Sequence, residues 1–241
     1  MIDKQQLKAY AAEYGVTVDD TAADKFDRYA QLLVEWNKKM NLTAITEPEQ
    51  IVIKHFVDSL TAVPLLPQKD TLSLIDVGTG AGFPAIPLAI VCKNLRVTLL
   101  DSLNKRLLFL QEVCRELGIE AQTVHARAED GGKDPALRET FDVAVARAVA
   151  ALPMLSEYCL PFCKVGGVFL AMKGPESDAE YEAAKTAITV LGAKEKDVHS
   201  LWLPAADGEK QERRIFVFEK VKPTPAKYPR PTAKIKKEAL R

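Results

Sequence analysis

A chain of 241 residues, 47% hydrophobic and 27% charged, can bury a sizeable core and has the composition of an ordinary globular protein. Its longest apolar run, near 83–92, is too short to span a bilayer, and the charged start Met1-Ile2-Asp3-Lys4 is unlike a secretory leader, so the expected location is the cytoplasm, away from membranes. The zero net charge hides a segregation: residues 220–241 carry eight Lys or Arg against one Glu, +7, which leaves −7 for residues 1–219.

The chain opens with helical patterns. Asp3 is placed to cap a first helix that Gly15 stops. A second helix follows Thr21 and Asp24, spaced almost as a capping box, and carries Phe26, Tyr29, Leu33, Trp36 and Met40 at intervals of three and four. After the loop Asn41-Leu42-Thr43-Ala44, a third helix is expected over 48–62, ending before Pro64.

From residue 72 short runs rich in Val, Ile and Leu alternate with helical stretches, the mark of a buried parallel sheet with crossover helices. Strands are expected at 72–77, 96–100, 120–124, 141–146 and 168–172, with helices at 84–93, 103–117, 133–139, 151–164 and 176–191. Two last strands, near 194–203 and 213–220, are joined across 204–210 with no room for a helix, so they should form an antiparallel hairpin. The pattern predicts an α/β protein: a Rossmann-like, mostly parallel seven-stranded sheet whose last strand is antiparallel, with an N-terminal helical extension. On this division residues 1–66 form the extension, 67–222 the sheet domain and 223–241 a basic tail. That tail, broken by Pro223, Pro225, Pro229 and Pro231, suits an arm that meets phosphate, or a solvated segment, rather than a packed helix. Cys92, Cys114, Cys159 and Cys163 fall in predicted helices without CxxC spacing, and read as small core residues rather than metal ligands or a redox pair. No exposed apolar stripe is evident, so a monomer is expected.

In an open α/β sheet, ligands bind outside the carboxyl ends of the strands. Polar residues collect at those ends here: Asp76 and the loop 78–82 after strand one, Asp101-Ser102 after strand two, Arg127-Ala128-Glu129-Asp130 after strand three, Arg147 after strand four, and Lys173-Gly174 after strand five. Together they describe one pocket. Gly78, Gly80 and Gly82 lack the Cβ that would block a sharp turn and a close approach of backbone to ligand. Their spacing departs from the G-x-G-x-x-G of dinucleotide sites. Asp101 can accept both hydroxyls of a ribose, cap the helix that follows, or do both. Glu129 can meet an exocyclic amine or pair with Arg127 or Arg147, and Arg147 can serve the ligand or a structural ion pair.

The sequence Asp76-Val77-Gly78-Thr79-Gly80-Ala81-Gly82-Phe83-Pro84 resembles the class I S-adenosyl-L-methionine-dependent methyltransferase loop, which implies that cofactor and that fold. Further marks are Trp36-Asn37 with Asn41-Leu42-Thr43, His55-Phe56 with Asp58-Ser59-Leu60, Leu100-Asp101-Ser102 with Lys105-Arg106, Arg147-Ala148, Lys173-Gly174 and Tyr228-Pro229-Arg230. With these the chain resembles, over nearly its whole length, the bacterial 16S ribosomal RNA guanine-N7 methyltransferase G family, also called glucose-inhibited division protein B. The resemblance implies methylation of N7 of a guanine in the 530 loop of 16S rRNA within the 30S subunit. It maps donor contacts onto Gly78, Phe83, Ala128, Glu129 and Arg147, to which the loop and strand ends add Gly80 and Asp101.

N7 of guanine offers a lone pair without losing a proton, so such an enzyme needs positioning more than a general base, and no catalytic residue in that sense is expected. Strand four ends in Val145-Ala146-Arg147-Ala148, with neither an Asp/Asn-Pro-Pro-Tyr motif nor a placed cysteine nucleophile. Lys105, Arg106, Arg127, Lys173 and Arg230 are candidate substrate contacts, while His55 and Asp58, three apart, can lie beside the entrance. A small-molecule or protein methyltransferase would share the loop but gives no reason for the +7 carried by residues 220–241. A nucleotide-dependent oxidoreductase conflicts with the loop spacing, and a non-catalytic assembly factor with the intact Gly78, Asp101 and Arg147.

Overall fold

The computed structural model describes residues 1–205 and 210–240. Seven strands, β1 (Leu72–Val77), β2 (Leu95–Asp101), β3 (Ala121–His125), β4 (Phe141–Arg147), β5 (Cys163–Lys173), β6 (Ala193–Leu203) and β7 (Gln211–Lys220), lie in the order β3-β2-β1-β4-β5-β7-β6. Strands β1 to β5 are parallel, and β7 runs antiparallel to β5 and β6. The order reverses between β1 and β4, which opens the ligand crevice at their carboxyl ends.

Parallel strands are covered on both faces, and alternation along each strand divides the core accordingly. Leu72, Leu74, Val143, Val145 and Leu170 pack on one face, with Ile75, Val77, Ala144, Ala146 and Phe169 on the other. The first cluster also takes in Leu7, Phe26, Tyr29, Leu33 and Phe56, so the N-terminal helices share the core of the sheet.

Those helices are α1 (Lys4–Glu13), whose first turn is capped by Asp3, and α2 (Asp20–Met40). The cap of α2 is Asp19, accepting from the Ala22 amide at 2.7 Å, and not the Thr21 box, because the helix already includes Thr21. The expected third helix is broken in character: α3 (Pro48–Ile51) passes into a π-helical stretch, Val52–Val57, and returns as α4 (Asp58–Leu60). Such π segments occur often at functional sites.

Crossovers are made by α5 (Ala85–Val91), α6 (Asn104–Leu117), α8 (Leu152–Cys159) and α9 (Asp178–Val190). The helix expected at 133–139 is absent. A single turn, α7 (Ala128–Gly131), comes instead, followed by irregular turns, since Gly131-Gly132 and Pro135 interrupt any helix there. Pro161 likewise ends α8 early, in a 3₁₀ turn over Leu160–Phe162. Cys163 consequently opens β5, and Cys92 terminates α5, so only Cys114 and Cys159 are helical. The β6–β7 hairpin forms as expected, although residues 206–209 of its connection lie outside the described residues.

The tail differs most from expectation. Tyr228, Pro229 and Ile235 are buried, and 232–237 form a short helix, α10 (Thr232–Lys237). Arg138 donates to the carbonyls of Thr224 and Tyr228, and the Thr224 amide donates to Glu139. Composition pointed to an arm because it registers charge, not the few apolar and clamped residues that dock the segment.

Candidate functional site

The glycine loop leaves β1 and turns into α5. Gly78, Gly80 and Gly82 all have positive φ, at +73°, +60° and +97°. A Cβ on Gly78 would stand 2.9 Å from Val149 Cγ2, and one on Gly82 would stand 2.6 Å from the Tyr29 hydroxyl oxygen and 2.8 Å from Ile86 Cγ1. Side chains are thus disfavoured by both torsion and space at Gly78 and Gly82, and by torsion alone at Gly80. The Tyr29 hydroxyl also donates to the Ala81 carbonyl, so α2 braces the loop from below.

Asp76 sits under the loop, wholly buried. Its Oδ2 accepts from the Thr79 hydroxyl at 2.8 Å and the Ala85 amide at 3.3 Å, and its Oδ1 has no partner. Burial raises its carboxyl pKa to about 7 against the lowering effect of those bonds. Asp101, at the end of β2, accepts from the Gly80 amide at 2.9 Å and the Leu103 amide at 2.9 Å, with Arg106 Nη1 at 3.3 Å. It therefore joins the loop to the start of α6, while its carboxylate lines a cavity.

That cavity, about 420 Å³, opens at the ends of β1 and β2 and is lined by Gly78, Asp101, Ala128, Glu129, Tyr158 and Thr232 among others. Arg106 and Arg127 also border it. A second cavity of about 440 Å³ adjoins it at Ala148, whose φ of +56° turns the chain between the two. Lys54, His55, Asp58, Arg147, Lys173 and Arg213 line this second space.

Arg147 is the corner post. Its Nη1 donates to Asp58 Oδ2 at 2.6 Å and to the Lys54 carbonyl at 3.0 Å, and Arg213 Nε approaches Asp58 Oδ1 at 3.3 Å. His55 stacks on Phe83 with ring centroids 4.4 Å apart, and Phe83 in turn stacks on Tyr29 at 5.3 Å. The Arg147 guanidinium lies 5.2 Å from the Phe83 ring centre. Burial, reinforced by Arg147, lowers the His55 pKa to about 3, so the ring is neutral near pH 7. Arg147 can only donate, which makes His55 Nδ1, 3.5 Å from Nη2, the acceptor. His55 Nε2–H then faces the Thr43 hydroxyl at 2.9 Å, and Thr43 is itself held by Asn37.

Of the residues singled out in the sequence, Gly78, Asp101, Ala128, Glu129, Arg106 and Arg127 share the first cavity, and Gly80 touches it through Asp101. Phe83 lies in the stack behind the second cavity, which Arg147 and Lys173 line. Lys173 is engaged by Glu180 at 2.7 Å and the Ala150 carbonyl. Arg230 lies apart from both cavities, clamped on the buried Glu157, and Lys105 is exposed on α6 and lines neither. Sequence reasoning passed over Lys54, Arg213, Tyr158 and Thr232; Arg213 lies in the polar run Gln211-Glu212-Arg213-Arg214 at the start of β7, which does not distinguish it from its neighbours.

A family model described as rRNA small subunit methyltransferase G (GidB) matches residues 22–208. The ribosomal RNA small subunit methyltransferase G of Acetivibrio thermocellus is 52% identical, over 99% of this chain and 100% of that protein. The protein of the same name from Alkaliphilus metalliredigens is 49% identical, over 95% of each. Among solved structures, M. jannaschii TYW2 in complex with AdoMet is similar with a TM-score of 0.50 at 18% identity, over 64% of this chain and 71% of that one. Precorrin-6y C5,15-methyltransferase from Geobacter metallireducens gives 0.51 at 18% identity, over 73% and 90%. These two likenesses speak to the fold. Among the described residues, no helix is long and apolar enough to cross a membrane.

Proposed function

Because the chain belongs to the rRNA small subunit methyltransferase G family, we propose that it transfers a methyl group from S-adenosyl-L-methionine to N7 of a guanine in 16S rRNA, presented within the 30S subunit. The observation that carries this reading is the pair of cavities meeting at Ala148: one carboxylate-lined beside a glycine-rich loop, the other ringed by cations.

The first cavity fits the donor. Asp101 offers a carboxylate for ribose hydroxyls and Glu129 a second acceptor for the adenine amine, while Asp76 Oδ1, a buried acceptor without a partner, lies behind the loop and outside that lining. When bound, this donor supplies an electrophilic methyl on a sulfonium. Everything else falls to the chain.

The second cavity is then the place of the acceptor base. Lys54, Lys173 and Arg213 surround it with positive charge suited to flanking phosphates. Asp58 cannot serve as a base while Arg147 and Arg213 hold its two oxygens, and His55 has its nitrogens committed to Arg147 and Thr43. With these two side chains so held, the second cavity suits N7, which needs no deprotonation, and orientation is the protein's contribution. Arg147, fixed by Asp58 and the Lys54 carbonyl, holds the wall between donor and base in one position.

Incubation with labelled S-adenosyl-L-methionine and 30S subunits, followed by borohydride and aniline cleavage of the RNA, tests the reading. Label at a single N7-methylguanine of 16S rRNA is the expected result. Label in protein, or on another base, overturns it.

A further inference from the structure

We infer that Thr232, delivered by the C-terminal tail, is a positioning residue of the first cavity that acts on the donor through Glu129; the inference rests on the donor reading above. Thr232, Glu129 and Tyr158 line the same space, though they lie on three distant parts of the chain. The Thr232 hydroxyl donates to Glu129 Oε1, and the Tyr158 hydroxyl lies 3.3 Å from Thr232 Oγ1. A carboxylate only accepts, so the one Thr232 proton goes to Glu129, and Tyr158 must be the donor to Thr232. The proton order is therefore Tyr158 to Thr232 to Glu129. It fixes one oxygen of Glu129 and leaves the other without a protein partner among the described residues, available to a ligand amine.

The tail is built to deliver this hydroxyl. Two residues before it, the Arg230 amide donates to Glu157 Oε1 at 2.7 Å, and its guanidinium spans both oxygens at 2.9 and 2.7 Å. Glu157 is fully buried and precedes Tyr158 on α8, so the clamp and the hydroxyl chain share one rigid element. Pro231, at φ −57°, links Arg230 to Thr232 with little freedom, and Ile235 anchors the far side in the core. Donor binding and docking of the tail are then coupled, each favouring the other.

The test is calorimetric titration of S-adenosyl-L-methionine into wild type, Thr232→Val and Thr232→Ser, with steady-state methylation of 30S subunits. Removing a hydrogen bond to a charged group should weaken donor binding about tenfold in Thr232→Val. The donor KM should rise in parallel, with kcat at saturating donor within about twofold of wild type. Thr232→Ser should restore binding, and Thr232→Val should add nothing in a Glu129→Gln background. Independently, the donor should slow amide exchange across 228–237 in the unmodified protein. Wild type that binds while Thr232→Val binds equally well, or a tail whose exchange ignores the donor, overturns the inference. Wild type that does not bind at all overturns the donor reading beneath it.

Discussion

The two cavities are close in size, about 420 and 440 Å³, and differ in the groups that dominate them. The first is built around main chain and carboxylate, with Arg106 and Arg127 bordering it: positive-φ glycines leave room, and Asp101 and Glu129 accept. The second is side chain and cation, with Lys54, Arg147, Lys173 and Arg213 gathered around Asp58 and the neutral His55. A backbone cradle depends on torsions that only certain residues can adopt, so it tolerates almost no substitution. A cationic ring spreads its work over several long side chains and loses function in steps.

The sharpest way to break this contrast is Gly78→Val. A β-branched residue at φ +73°, with its Cβ 2.9 Å from Val149, cannot keep the loop. Methyl transfer should fall by about 1,000-fold or more, equivalent to about 4 kcal/mol, with donor binding lost by calorimetry while circular dichroism still reports the fold. Retained donor affinity would mean that the cradle is not made of backbone.

Arg147→Ala tests the wall between the cavities. It leaves Asp58 with Arg213 alone and frees the His55 ring, so kcat/KM should drop about 100-fold, with a smaller loss of donor affinity. An effect confined to donor binding would place Arg147 wholly in the first cavity.

The smallest effect sharpens the second cavity through pH. The folded pKa of His55 is depressed to about 3, so its contribution to stability is complete above about 6.5 and is lost progressively as pH falls from there to about 3. Asp76, raised to about 7, works in the opposite sense: its contribution is present at low pH and lost as pH rises. The difference between wild type and His55→Gln isolates the first. Below pH 6.5 wild type should lose up to about 1.4 kcal/mol per pH unit relative to the variant, measured by urea unfolding. A flat difference would mean that His55 stays accessible to protons and water.

The contrast also explains what could be read from the sequence. The first cavity comes largely from contiguous runs, 76–84, 101–102 and 127–129, in which each local choice advertises a strand end and its turn. Periodicity likewise exposed the alternating strands, whose burial on both faces demands apolar runs. The second cavity is assembled from 54–58, 147, 173 and 213, and no spacing rule relates a residue in a π-helical stretch to one in the last strand. His55 and Asp58 were visible as a pair, but their partners Thr43, Arg147 and Arg213 appear only when the loop after α2, the π-helical stretch with α4, and the strands β4 and β7 are brought together. The tail misled for a related reason. Six cations in 223–241 dominate its composition, while its docking depends on Tyr228, Arg230, Ile235 and a glutamate some seventy residues away.

The bond from the Tyr29 hydroxyl to the Ala81 carbonyl bears on modularity. A sheet with its crossover helices looks like a unit that could be cut out and joined to a new recognition element. Here the helical extension acts as a splint, pressing an aromatic ring against Phe83 and filling the space a Cβ on Gly82 would need. Shuffling this fold among proteins would thus require moving the splint with it, since the turn alone would be left without its backing.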